Sequence, residues 1–228
     1  PNVLTPLPLC TAMNQRVHMD LFGPLKTSHE GNKYILCMTD SFTKYVELAS
    51  IPNKEAETVA ERFFNKWICR YGPPSEICTD QGREFVNQVL KELVRLMDIK
   101  HSTTSGYHPQ TNATAEVCNK TIQKYLASFV DQSTLDWELY LAPLAFCYNT
   151  SLHESILHTP FFLCHGFEAL IPTAVLDERK RYGENSATEW LQRLQLARQM
   201  ATQNNMKMID KNVKYHNQKA EQKEQEPI

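Results

Sequence analysis

Near the start of the chain Arg16 to Phe22 alternates loosely between apolar and polar positions, and a period of two, which sends successive side chains to opposite faces, reads as a strand. Lys33 to Thr39 and Tyr45 to Ile51 supply two more β-rich runs. Gly23-Pro24, Gly31-Asn32 and a turn around Asp40-Ser41 separate the runs, which predicts an antiparallel three-strand meander. The period then changes. From about Lys54 to Tyr71 the residues Val59, Phe63, Phe64, Trp67, Ile68 and Tyr71 recur at helical spacing, and Gly72-Pro73-Pro74 ends the run. A strand at Ser75 to Thr79, a helix at about Asn87 to Met97, a strand at Ile99 to Thr103 and a turn-rich loop from Thr104 to Asn112 follow. Ala113 to Val130 reads as a long helix, giving the order β-β-β-α-β-α-β-α.

Beyond that helix the pattern coarsens. Trp137 to Thr150 is apolar almost all round, as in a helix that is buried or sits in an interface, and Pro143 is expected to kink it or mark its restart. From about Asn185 onward Gln, Lys and Arg dominate, and large apolar residues thin to Trp190, Leu191, Leu194, Met200, Met206 and Ile209. This reads as a solvent-facing helix leaving the core. No internal repeat interrupts the sequence.

Composition narrows the class. With 228 residues, 42% hydrophobic and 22% charged, the chain can bury the core of one catalytic-sized domain with an appendage, which excludes disorder for most of it. No apolar run reaches the roughly 18 residues of a membrane-spanning helix, and Pro1 to Cys10 lacks the charged-then-apolar pattern of a secretory leader. The opening on Pro1 and the polar close from Gln218 to Pro227 read as a piece of a longer chain. The 24 Lys+Arg against 26 Asp+Glu leave no long-range field to identify a nucleic-acid binder, so any DNA contact must be local. Seven scattered cysteines, mostly in apolar segments, point to a reducing compartment and structural thiols.

Three carboxylates stand out by position. Asp20 lies in the apolar string Val17-His18-Met19-Asp20-Leu21-Phe22, where an ionised side chain is costly unless a cation or hydrogen bonds meet it. Asp80 follows Ile77-Cys78-Thr79 at the exit of a buried strand, where α/β sheets present ligands and catalytic groups. Taken alone it also reads as a turn residue or helix cap. Glu116 stands in the first turns of the helix after the loop, on a polar face with Asn119, Lys120 and Gln123. The pair Glu116 and Lys120 alone reads equally as a solvated i, i+4 pair. Together the three acids are the hard oxygen donors that Mg²⁺ or Mn²⁺ chemistry requires.

The 35 residues between Asp80 and Glu116, with Asp20 upstream, resemble the D,D(35)E signature of retroviral and retrotransposon integrases. Further strings agree with gypsy-type elements over about residues 16 to 175. They are His18-Met19-Asp20-Leu21-Phe22-Gly23-Pro24-Leu25, Tyr107-His108-Pro109-Gln110-Thr111-Asn112, Glu116 with Asn119-Lys120, and Tyr148-Asn149-Thr150 to Thr159-Pro160-Phe161. The resemblance implies an α/β, RNase H-like fold: a five-stranded mixed sheet flanked by helices, with a C-terminal extended helix. It implies a polynucleotidyl transferase that carries out DNA 3′-end processing and strand transfer with two Mg²⁺ ions, Mn²⁺ being able to substitute. Asp20 would bridge the ions, and Asp80 and Glu116 would each complete one. Tyr107, Gln110 and Asn112 match the loop that approaches the element's DNA end, and Asn119, Lys120 and Gln123 match the helix face near the cut. Two positions depart: Ala113 stands where the family commonly has Gly, and Val117 where it has Arg. Losing the glycine restricts the loop's backbone.

The same resemblance divides the chain into an N-terminal linker (1–15), a catalytic core (16–175) and a helical linker (176–228) toward a C-terminal domain. Nothing before Asp20 offers the paired Cys and His of the family's zinc domain. Lys207, Lys211, Lys214 and Lys219 fit a linker helix whose charged face is solvated or touches DNA. Homo-oligomerisation, DNA partners (element ends and target) and a nuclear location after a cytoplasmic particle are further implications. Trp137, Leu141, Leu144 and Tyr148 would supply a dimer patch, although burial within one chain explains the same pattern. His153, His158, Cys164 and His165 lie close in sequence but match no compact zinc finger, so packing or capping is the reading adopted. Two alternatives stand beside the integrase reading. One is a domesticated, integrase-derived protein that binds DNA or protein without catalysis. The other is an RNase H-type nuclease, which would not explain the Tyr107 to Glu116 string.

Overall fold

The computed structural model describes residues 8–79, 88–103, 121, 124, 136–170 and 187–224. Five strands form one sheet in the order β3-β2-β1-β4-β5: β1 (Arg16–Phe22), β2 (Tyr34–Asp40), β3 (Val46–Ile51), β4 (Glu76–Thr79) and β5 (Lys100–Thr103). β1 pairs antiparallel with β2, and β2 with β3, as the meander predicted, while β1–β4 and β4–β5 are parallel. The mixed sheet matches the expected architecture, and each strand lies within one residue of its sequence-read bounds.

The pleat sorts the two faces. Val17 and Met19 of β1, Leu36 and Met38 of β2, Ala49 and Ile51 of β3 and Ile77 of β4 pack with Val59, Phe63, Trp67, Leu90 and Val94 in the main core. Those partners come from α1 (Ala56–Phe63), the π-helical turn Phe64–Ile68, and α3 (Gln88–Leu96), with α2 (Cys69–Tyr71) ending the first helical run. Val59, Phe63, Trp67 and Tyr71 repeat every four residues, which overshoots the 3.6-residue turn by about 40° per step. A wider π turn takes up that drift and keeps Phe63, Trp67 and Ile68 all inward.

The opposite face carries Phe22, Ile35, Cys37, Val46 and Leu48, covered by the 3₁₀ turn Trp137–Tyr140 and α4 (Leu141–Asn149). Pro143 falls in the first turn of α4, so it marks a restart and does not kink a longer helix. Leu141, Leu144 and Ala145 are buried against the sheet, whereas Leu139, Tyr140 and Phe146 are exposed. The dimer patch read from the sequence therefore needs correction: Trp137, Leu141 and Leu144 are the inner face of this element, and its outward apolar residues are others. Asn149 is buried at the end of α4. Its Oδ1 accepts the Val46 N–H at 2.9 Å, and its Nδ2 donates to the Val46 carbonyl at 2.9 Å. One side-chain amide thus stands in for a peptide beside the outer strand.

α5 (Pro160–His165) starts on a Thr159 cap whose Oγ1 accepts the Phe162 N–H at 3.0 Å. α6 (Ala187–Glu224) is 38 residues long. The helix expected to leave the core first docks on it: Leu194, Ala197, Ala201 and Asn205, spaced three, four and four apart, are buried. Only beyond them do exposed Lys207, Lys211 and Lys214 follow the solvent-facing reading.

Candidate active site

β1 is the central strand, and the site is built at the end where it and β4 run out together. Asp20 is the fifth residue of β1, on the face that also carries Arg16, His18 and Phe22, and it is partly exposed. Its Oδ1 accepts the Leu21 N–H at 2.8 Å. The chain leaves β1 through Gly23 at φ 125°, where a Cβ would lie 2.7 Å from the Lys33 carbonyl oxygen. Glycine is required there, which gives a packing reason for the Leu21-Phe22-Gly23-Pro24 string beside Asp20. β4 lies parallel to β1 with Thr79 opposite Met19, one residue before Asp20. Thr79 is buried, and its Oγ1 is hydrogen-bonded to His101 Nε2 of β5 at 3.0 Å. Burial, and then the charge of Lys91, hold the His101 imidazole below its ordinary range, so the ring is neutral at pH 7.

Asp80 and Glu116, together with Tyr107, Gln110, Asn112, Asn119, Lys120 and Gln123, lie outside the described residues, as do Ala113 and Val117. Of the expected acid triad the structure therefore describes Asp20 alone. A partly exposed carboxylate at the C-terminal end of a central strand is a hard oxygen donor of the type that Mg²⁺ and Mn²⁺ take. Among the described residues no three His, Cys, Asp or Glu side chains gather into a metal-binding group. His153, His158 and His165 make other contacts. His153 Nδ1 is 3.1 Å from the Ser155 hydroxyl, His158 stacks on Phe162, and His165 packs on Phe161 and Tyr45.

The sequence argument placed the cost of a buried carboxylate on Asp20, but among the described residues the two carboxylates most enclosed are others. Asp40, wholly buried at the end of β2, accepts the Phe42 and Thr43 N–H groups, the Thr43 hydroxyl and the Asn14 N–H at 2.7 to 3.1 Å. Burial pushes its carboxyl above the ordinary range against those hydrogen bonds. The Asp40-x-x-Thr43 spacing, typical of a side chain closing its own turn, was the available signal. Glu76 opens β4. It accepts from Arg16 Nε at 2.7 Å and from the Ser102 hydroxyl at 2.7 Å, and lies 3.6 Å from Lys100 Nζ. Burial would raise its carboxyl, but the Ser102 and Arg16 hydrogen bonds and the Arg16 charge hold it below the usual range. No periodicity announced this pair, because both residues sit at strand starts where a charge is ordinarily solvated. Between the two ends of β1, His18 is buried and its imidazole is pushed down to about 3, first by desolvation and then by Lys44 and Arg16.

Residues 11–109 match the family model described as the integrase core domain. This chain carries an integrase core domain. The Pol polyprotein of transposon 412 from Drosophila melanogaster is 33% identical over 159 residues, which are 69% of this chain and 13% of that protein. Gypsy retrotransposon integrase-like protein 1 from Homo sapiens is 33% identical over 146 residues, 64% of this chain and 28% of that protein. The chain thus spans well under a third of either relative. The crystal structure of the catalytic core domain of BIV integrase superposes with a TM-score of 0.54 at 20% identity, covering 75% of this chain and 99% of that one. At that identity the likeness concerns the fold, and it agrees with the five-stranded mixed sheet of this integrase core.

Proposed function

We propose that this integrase core is the catalytic part of a long-terminal-repeat retrotransposon integrase, a metal-dependent polynucleotidyl transferase that processes the 3′ ends of element DNA and joins them to target DNA. One observation carries the reading. β1 and β4 are parallel neighbours with Met19 opposite Thr79, and in the sequence each of these residues immediately precedes one of the two aspartates, Asp20 and Asp80. Asp20 on β1, with Asp80 following Thr79 in the sequence and Glu116 separated from Asp80 by 35 intervening residues, would make a donor set suited to two hard divalent ions. When bound, such ions supply activation of the attacking oxygen and stabilisation of the leaving 3′ oxygen. The protein's own part would be to hold Asp20 on the rigid central strand, to bring the other two acids to it and to orient the DNA. Tyr107, Gln110 and Asn112 would approach the element end, and Asn119, Lys120 and Gln123 the backbone near the cut. We assign a homo-oligomeric assembly and a nuclear site of action to the same reading, since the target is chromosomal DNA.

A second reading is a domesticated integrase-derived protein that binds DNA or protein without catalysis; the similarity to proteins named integrase-like favours it. A Mn²⁺- or Mg²⁺-dependent assay of cleavage and of strand-transfer reversal on branched DNA separates the two. Asp80→Asn and Glu116→Gln are expected to abolish the activity of the wild-type chain while leaving its thermal unfolding unchanged. Equal activity in wild type and variants would refute the triad, and a silent wild type with intact DNA binding would select the domesticated reading.

A further inference from the structure

The segment before β1 and the helix α6 meet at one place, the turn between β2 and β3. On the N-terminal side, Asp40 Oδ2 accepts the Asn14 N–H at 2.8 Å. Asn14 in turn donates Nδ2 to the carbonyls of Tyr71, Gly72 and Pro73 at 3.0 to 3.1 Å and accepts Trp67 Nε1 at 2.9 Å. Further back, the Pro8 carbonyl accepts from Arg16 at 3.1 Å, and Gln15 Oε1 accepts the Thr11 and Ala12 N–H groups. On the C-terminal side, Asn205 of α6, itself buried, donates Nδ2 to the Phe42 carbonyl at 3.4 Å. Phe42 links the two sides. Its N–H is held by Asp40 Oδ1, and its fully buried ring shares one apolar cluster with Cys10 from the leading segment and Ala197 and Ala201 from α6.

We infer that the β2–β3 turn is a shared anchor that couples the segment preceding β1 to α6, so that releasing either one loosens the other. A buried polar group that loses its partner keeps its desolvation cost, and close-packed side chains cannot deform continuously to accommodate a lost neighbour. When α6 lifts off, the Phe42 carbonyl and one wall around Cys10 are uncovered. When the leading segment lifts off, Asp40 loses the Asn14 donor and the Phe42 ring loses Cys10. Linkage then makes the effect reciprocal. Loads arriving at the two ends of this core are thereby exchanged through its hub, independently of any chemistry at Asp20.

Hydrogen exchange followed by mass spectrometry on the 228-residue chain tests this. Ala201→Asp places a charge at a fully buried position of α6 and undocks the helix. Exchange over residues 11–15 is expected to rise about tenfold, within the usual coupling range, with β2 and α1 unchanged. Reciprocally, Asn14→Ala is expected to raise exchange over residues 194–205. If each variant loosens only its own segment, the inference is wrong. Should Ala201→Asp also release β1 and β2, Asn205→Ala, which removes only the bond to Phe42, takes its place, and unchanged exchange at residues 11–15 would again overturn the coupling.

Discussion

The two ends of the central β1–β4 pair have opposite characters. At the end where both strands begin, Arg16, Glu76 and Ser102 bind one another in a nearly dry setting, and the Arg16 and Glu76 side chains are only 10% and 11% exposed. At the end where both strands stop, Asp20 is open to solvent on one side and is held to its own backbone by the Leu21 N–H. At the first end the Arg16 and Glu76 charges meet each other inside the fold. The second leaves Asp20 partly exposed toward the end of the strands, where such sheets present ligands. Four residues along β1 thus separate an enclosed ion pair that ties strands together from a partly exposed carboxylate.

Three changes test that division, in falling order of effect. Asp20→Asn is expected to reduce metal-dependent DNA cleavage by about 10³-fold or more, while the unfolding free energy moves by no more than about 0.5 kcal/mol. A loss of stability comparable to that of a core substitution would place Asp20 among the structural residues. Glu76→Ala is expected to do the reverse, costing about 3 kcal/mol in denaturant unfolding because Arg16 is left buried and unpaired, with activity per folded molecule retained. Unchanged stability would mean that the pair is merely tolerated. The smallest effect concerns pH. His18 has a folded value near 3 against an ordinary 6.5, so between these limits the unfolded chain binds the extra proton and stability falls as pH is lowered. His153, pushed down to about 4 mainly by burial, adds to the same limb, and Glu76 loses its contribution only below the ordinary carboxylate range. Replacing His18 with Asn should flatten the dependence of the unfolding free energy on pH between about 6.5 and 4, by up to about 1.4 kcal/mol per pH unit. An unaltered slope would locate the proton uptake elsewhere.

Much of this was legible in the sequence because the elements are locally consistent. The alternation in Arg16 to Phe22 names β1 to the residue, and the Gly-Pro punctuation around 23 and 72 ends elements where the chain turns. The resemblance carried by Asp20 and its neighbours led to the right sheet. Where the reading slipped, the cause was burial that no single-chain pattern encodes. Trp137 to Thr150 is apolar on all sides, so nothing in it distinguished the inner Leu141 and Leu144 from the outer Leu139 and Phe146. In α6 the docking residues are two alanines, a leucine and an asparagine, too small or polar a set to raise the helix above its Gln-rich surroundings. The enclosed carboxylate at Asp40 was harder to see for a related reason: apart from the Thr43 hydroxyl, its partners are backbone N–H groups, which have no letter in the sequence.

The amide of Asn149 has a consequence for the behaviour of this molecule among its own copies. β3 is an outer strand, and an outer strand with free N–H and C=O groups is a template on which a stranger can add itself. At Val46, where β3 begins, both groups are already engaged by the Asn149 side chain. A neighbour approaching to extend the sheet would have to displace a bond pair before gaining one. At this one position Asn149, not a second chain, completes the edge of the sheet.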